Sequence, residues 1–190
     1  MPSLTAPVLP AGSLAATDQP VLQADGLILR PWRESDAEAV VTAFADPAIR
    51  QWHVRSVDSR QEAAELIDSY NRAWQDETAA HWAITGPEVI GRVAFRTIDL
   101  AEGCAEIGFW VTPAARGRAA AVRAALALSG WALDDLGLHR IDLHHSVANN
   151  ASCRVAQKAG FAYEGIRRGA CLHADGWHDM HQHARIQGDA

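Results

Sequence analysis

Residues 105–137 read AEIGFWVTPAARGRAAAVRAALALSGWALDDLG. An apolar, partly aromatic run ends at Val111 and passes through a Pro- and Gly-containing turn. It then opens a long stretch with Val122, Leu126, Ser129, Leu133 and Leu136 at helical spacing, and Gly137 suits the position just past a helix end. The next run, RIDLHHSV (Arg140 to Val147), reads as a strand. Strand, helix and strand in this order make a crossover unit, so the flanking strands should run parallel with a right-handed connection. The junction Thr112 to Ala121 matters most. Free N–H groups at the helix start, with the helix dipole behind them and Arg116 and Arg118 beside them, would receive a pyrophosphate. Taken alone, the stretch also fits an ordinary strand-to-helix turn with solvated arginines.

Upstream, HWAIT (81–85), VIGRVAFRTI (89–98) and CAEIGFWV (104–111) are separated by Gly86-Pro87 and by Leu100 to Gly103, which predicts an antiparallel meander. LILRPW (27–32) is a first strand. Ser35-Asp36 offers an N-cap for a helix over 37–45 that Asp46-Pro47 closes, and a second helix fits Ser59 to Gln75. The segment between them, IRQWHVRSV, reads as a loop. Downstream, Asn149 caps a shorter helix that Gly160 ends, and strands near 162–168 and 178–186 complete the chain. The prediction is a mixed α/β domain over residues 26–190. Residues 1–25, rich in Pro, Ala, Ser and Thr without periodicity, are expected as an extended or disordered tail.

The chain has 190 residues, 48% hydrophobic and 21% charged, without the roughly 20-residue apolar run of a membrane span. The first residues lack a basic n-region, so a cytoplasmic protein is expected. A net charge of −6 gives no footprint for nucleic acid and slightly favours a cationic acceptor such as an amine. Cys104, Cys153 and Cys171 show no C-x-x-C spacing, so neither a disulfide framework nor a thiolate zinc site is indicated. His173, His178, His181 and His183 raise the question of a metal, and His181 and His183 would share a strand face. No carboxylate or cysteine completes a recognised ligand spacing, so no metal is expected.

The order of pieces, with LRPW, AEIGFWVTPAARGRAA, LGLHRIDL, NNASCRVAQKAGFAYEGIRRG and DGWHDM in register, resembles the GNAT superfamily of acyl-CoA N-acyltransferases over residues 26–187. The branch it resembles most is the Rim type, the ribosomal-protein N-terminal acetyltransferases. The resemblance implies a mostly antiparallel sheet of about seven strands with a splayed parallel pair, the fourth and fifth, and about four helices. It also implies acetyl-CoA as donor, with pantetheine along Phe109, Trp110 and Val111. The superfamily's pyrophosphate loop resembles Arg/Gln-x-x-Gly-x-Gly/Ala, and this chain reads Arg116, Gly117, Arg118, Ala119, Ala120, Ala121. Alanine at 119 puts a Cβ where positive φ is wanted.

Direct transfer through a tetrahedral intermediate needs a neutral amine, a polarised carbonyl and a proton for the leaving thiolate. By resemblance Ser152 supplies that proton and Asn149 bonds the pantetheine arm. Glu106 matches the base of the superfamily's histone acetyltransferases, and Glu164 or His53 are alternatives. A tyrosine used elsewhere in the superfamily is replaced by Ala156, and an acidic residue of the Rim branch by Cys171. Gln51, Trp52 and His53, with Trp74 and Trp82, are candidates for the acceptor pocket. The acceptor is expected to be a protein or peptide N-terminus, with a small amine (antibiotic, amino acid or polyamine) as rival. A non-catalytic acyl-CoA-binding module remains a third reading. A monomer or homodimer is expected.

Overall fold

The Gly86-Pro87 and Leu100–Gly103 breaks fold the centre of the chain into the expected meander, and the crossover that follows adds a parallel neighbour to its last strand. In the computed structural model, which describes residues 4–53 and 56–189, this gives one eight-stranded sheet. Its strands are β1 (Leu22–Gln23), β2 (Ile28–Pro31), β3 (Ala80–Thr85), β4 (Val89–Asp99), β5 (Cys104–Val111), β6 (Arg140–Ser146), β7 (Ala162–His173) and β8 (Gly176–Ile186). They lie in the order β1-β2-β3-β4-β5-β6-β8-β7, and only β5 and β6 run parallel. The expected fourth and fifth strands are thus β5 and β6. The eighth strand is β1, from within the expected tail. Central β3 is almost continuously buried, as a strand covered on both faces must be, whereas edge strand β7 is largely exposed.

Five α-helices cover the sheet: α1 (Ala37–Phe44), α2 (Pro47–Arg50), α3 (Arg60–Gln75), α4 (Ala120–Gly130) and α5 (Asn150–Lys158). The start of α3 is fixed by a capping box in which Ser59 accepts from the Glu62 N–H and Glu62 reaches back. Asp36 does not cap α1 as expected. Its carboxylate is taken by Arg30 at 2.7 Å and by the Arg33 N–H at 2.9 Å. The expected loop IRQWHVRSV begins inside α2, whose N-cap Asp46 accepts from the Ala48 N–H, while Val54 and Arg55 lie outside the described residues. A π-helical turn, Trp131–Leu136, continues α4, and Gly137 ends it at φ +89°.

The expected stripe holds in part: Ser129 and Leu133 are buried, but Leu126 is exposed, and the helix also buries Ala121, Ala124, Ala125 and Leu128. Small side chains let the helix axis lie close to the sheet, so the inward face is written largely in alanine. Two cores result. One packs α4, α5 and the sheet around Trp82, Phe95, Ile107, Leu128 and Ile141; the other packs α1–α3 on the opposite face around Trp32, Phe44, Ile67, Tyr70 and Trp110.

Of the expected tail, residues 1–3 lie outside the described residues, and the rest is docked, with hydrogen-bonded turns over 11–16. Val8 and Leu9 N–H groups donate to Ala101 and Leu100 carbonyls, and Leu14 is 1% exposed. Glu77 gathers the N–H groups of Gly12, Leu14 and Ala15 at 2.6, 2.6 and 3.1 Å.

Candidate active site

Cys104–Ile107 of β5 pair with Arg140–Leu143 of β6, and there the pairing stops. Beyond it, His144, His145 and Ser146 stay with β8, while residues 108–111 of β5 stay with β4. The two strands splay, leaving the β5 edge without a sheet partner on that side. A cavity of about 560 Å³ opens at the splay. Phe109, Trp110, Val111, Asn149 and Ser152 line it.

At the start of α4, Gly117 (φ +75°) and Ala119 (φ +56°) both take left-handed backbone angles. Alanine there costs about 1–2 kcal/mol relative to a right-handed conformation. The first N–H groups of α4 that follow this turn have no intrahelical partner. Arg116 and Ala121 reach its wall, whereas Gly117, Arg118, Ala119 and Ala120 are off it and form the turn itself. Arg116 is not a solvated flank: it is paired with Asp46. The Arg118 carbonyl accepts from Arg123 at 3.1 Å. At α5, Asn149 Oδ1 accepts from the Ser152 N–H at 3.0 Å, so Asn149 provides the helix cap, and the Ser152 hydroxyl is not used for it.

The other end of the cleft is built from side chains: Phe44, Ile49, Trp52, His53, Tyr70 and Arg92. Trp52 stands edge-on to His173 at 5.7 Å and His178 at 6.1 Å, closing the cleft against the β7–β8 turn. His53 rests on Phe44, and its Nδ1 lies 2.7 Å from the Ile49 carbonyl; burial pushes its pKa down to about 4 despite that hydrogen bond. Behind this wall, His81 stacks on Tyr70 at 3.9 Å, and burial drives its pKa to about 2. Both rings are neutral at pH 7. Gln51, at the end of α2, is exposed and off the wall.

Trp74 and Trp82 are corrected out of the acceptor pocket. Both are buried in the core, where their indole N–H groups donate to Thr17 and Pro20 carbonyls at 2.9 and 2.7 Å. Their spacing is that of core aromatics, and their polar atoms hold the N-terminal segment.

Glu106 sits behind the cleft wall, 3.1 Å from Arg96 and 3.7 Å from His144 Nδ1. His144 beside it lowers its pKa, burial opposes this, and Arg96 adds to the lowering, so it is a carboxylate. Arg96 reaches it across Gly108, where a Cβ would come within 2.7 Å of the Arg96 side chain. Arg96 and His144 themselves line the cleft, and the sequence reading missed both. The alternation of β6 could have placed His144 beside Glu106, because its sheet neighbour Asp142 is paired with Glu106 in register. Glu164 is bonded to Arg140 at 2.9 Å and lies off the cleft. Cys171 lines the cleft, and Ala156 is fully buried.

A sheet opened along one strand edge beside a helix N-terminus defines an acyltransferase that takes its acyl group from an extended thioester. Residues 26–162 match the family model described as an acetyltransferase (GNAT) domain, and the chain belongs to that family. It is 29% identical over 153 residues to the uncharacterized N-acetyltransferase YoaA of Bacillus subtilis, covering 78% of this chain and 86% of that one. It is 31% identical over 99 residues to the ribosomal-protein-serine acetyltransferase of Escherichia coli, covering 52% and 55% of the two chains. Among solved structures, the microcin C7 self-immunity acetyltransferase MccE, crystallised with acetyl-CoA and AMP, superposes with a TM-score of 0.80 at 21% identity, over 85% of this chain and 93% of that one. The protein is an acetyltransferase of that family. Its residues fit acetyl-CoA: an unpaired strand edge suits the pantetheine amides, and the α4 N–H groups suit the pyrophosphate. No helix is long and apolar enough to cross a membrane among the described residues.

Proposed function

We propose that the acceptor is the N-terminal α-amine of a protein or peptide. One observation carries this reading: the acceptor end of the cleft is rich in hydrogen-bond donors, and among the described residues no Asp or Glu lines it. Arg92 and Arg96 face it, and buried Trp110 Nε1 and Arg92 Nε have no hydrogen-bond partner among the described residues. Such a wall suits an amine with carbonyl groups close by, as in a peptide, and repels a polycation such as a polyamine or aminoglycoside.

Acetyl-CoA supplies the activated acyl group. The chain's backbone N–H near Trp110 polarises the acyl carbonyl, and Ser152, uncommitted to capping, gives its proton to the departing sulfur. Glu106 acts through His144, which faces the cleft with a carboxylate behind it to orient the ring and balance its charge. The demand on this base is small for an α-amine. With ordinary pKa values of ~7.8 and ~10.4, an α-amine is far more often neutral at pH 7.5 than a lysine, a difference of about 3–4 kcal/mol.

A thiol-release assay with acetyl-CoA tests the reading. The acceptors are a lysine-free peptide with a free N-terminus, its N-blocked counterpart carrying one lysine, and a polyamine. The free N-terminus should react fastest and the polyamine slowest. Faster reaction of the blocked lysine peptide or the polyamine overturns the assignment.

A further inference from the structure

The chain carries a second constellation that acyl transfer does not use. His145 on β6, His181 and His183 on β8, and Cys153 on α5 bring one ligand atom each to within 4.8 Å of one another. The sequence hid this group because its members come from three elements separated by loops and a hairpin. In the antiparallel ladder His145 lies opposite His181, and Leu143 lies opposite His183, so all three imidazoles stand on one face of the sheet. The helix α5 packs on that face and brings the Cys153 sulfur to it.

We propose that His145, Cys153, His181 and His183 form a closed tetrahedral site for zinc or a similar borderline divalent cation. Distance supports it first. His145 Nε2 and His183 Nε2 are 3.3 Å apart. Two ligands of a tetrahedral metal with metal–nitrogen bonds of 2.0–2.1 Å lie about 3.3 Å apart, so one edge of the polyhedron is already in place. The tautomer fits as well. His145 Nδ1 is 2.8 Å from the Ser146 carbonyl, which places its proton there and leaves a lone pair on Nε2.

The surroundings suit a ligand sphere. Gln157 Nε2 lies 3.7 Å from Cys153 Sγ and donates to it, as a partner to a coordinated thiolate would. His181 Nδ1 is buried without a hydrogen-bond partner among the described residues. The Tyr163 ring stands over His181 and His183 at 5.2 and 5.4 Å. With four protein ligands no position is left open, so the site is structural. It ties α5 to β6 and β8 one residue from Ser152, and so fixes the turn that carries Asn149 and Ser152. On binding, Cys153 releases its thiol proton to solvent.

Cobalt(II) is the probe, used on the full chain without a polyhistidine tag and after chelator treatment. Titration should give the visible bands of tetrahedral cobalt and a near-ultraviolet sulfur-to-cobalt charge-transfer band, both saturating at one equivalent. Zinc should displace the cobalt and raise Tm in a concentration-dependent way. Cys153 is half-exposed, so Cys153→Ser should fold normally by circular dichroism. It should lose the charge-transfer band and weaken cobalt binding at least tenfold. His181→Asn should weaken cobalt binding as well. A spectrum without the charge-transfer band, or one unchanged by Cys153→Ser, assigns the cobalt elsewhere and overturns the proposal, as does the absence of saturable binding. The three imidazoles are then simply packed beside Cys153, with one hydrogen bond between His145 and His183.

Discussion

The two ends of the cleft are made from different materials. The donor end is backbone: the β5 edge that β6 abandons at Leu143, and the α4 N-terminus behind a turn with two left-handed residues. The acceptor end is side chain: Phe44, Trp52, His53, Tyr70 and two arginines drawn from α1–α3, β4 and their loops. Backbone recognition depends on chain path and tolerates changes of residue, which is why Ala119 can occupy a position that favours glycine. Side-chain recognition has no such tolerance. It sets which amine is accepted, and a single replacement there changes the chemistry offered.

The largest expected effect falls where the two ends meet. Ser152→Ala should lower turnover by about 100- to 10,000-fold while acetyl-CoA affinity by calorimetry stays nearly unchanged, because the hydroxyl acts on charge that develops only as the thiolate departs. A loss below about threefold would make Ser152 a helix residue and nothing more. Glu106→Gln should act on the acceptor end alone. It should cost about tenfold or more in turnover, with acetyl-CoA binding intact. Unchanged turnover would mean that solvent takes the amine proton.

Acidification should strain the acceptor half first. His53 is held neutral with its pKa near 4 and His81 with its pKa near 2, against 6.5 when exposed. The unfolded chain therefore binds protons that the folded chain refuses. Stability should be full above about pH 6.5 and fall as pH drops toward 4, where His53 itself protonates, by up to about 3 kcal/mol for that residue. Urea melts across this window should show the decline, and His53→Phe should make it shallower, the remainder coming from His81. The smallest effect belongs to the donor end. Ala119→Gly should raise stability by about 1 kcal/mol by relieving the left-handed alanine, and tighten CoA binding modestly. Calorimetry showing weaker CoA binding in this variant would mean that the turn does not approach the phosphates.

The same contrast explains what could be read in the sequence. Strand breaks at Gly86-Pro87, the helix stop at Gly137 and the helix over Ser59 to Gln75 follow local rules, and the structure obeys them. The donor end followed, since a strand entering a long helix is visible in one stretch. Where burial had to be guessed from side-chain size, the reading slipped: Leu126 faces out and the alanines face in. Trp74 and Trp82 look like pocket aromatics in the sequence, yet nothing local reveals that residues 17 and 20 return to accept their N–H groups. Arg96 and His144 escaped notice because their meaning comes from Glu106, on a neighbouring strand.

The N-terminal segment bears on how the protein should be handled at the bench. The family match begins at residue 26, so trimming to the recognised domain would remove residues 4–25. That cut would strip the acceptors from two buried tryptophans and leave Glu77, at φ +56°, with no N–H groups to gather. It would also uncover the hollow that Leu14 fills, a side chain whose burial alone contributes about 1.5–3 kcal/mol. A shortened chain should therefore express poorly and aggregate, although every residue of the cleft is still present. Affinity tags belong at the other terminus.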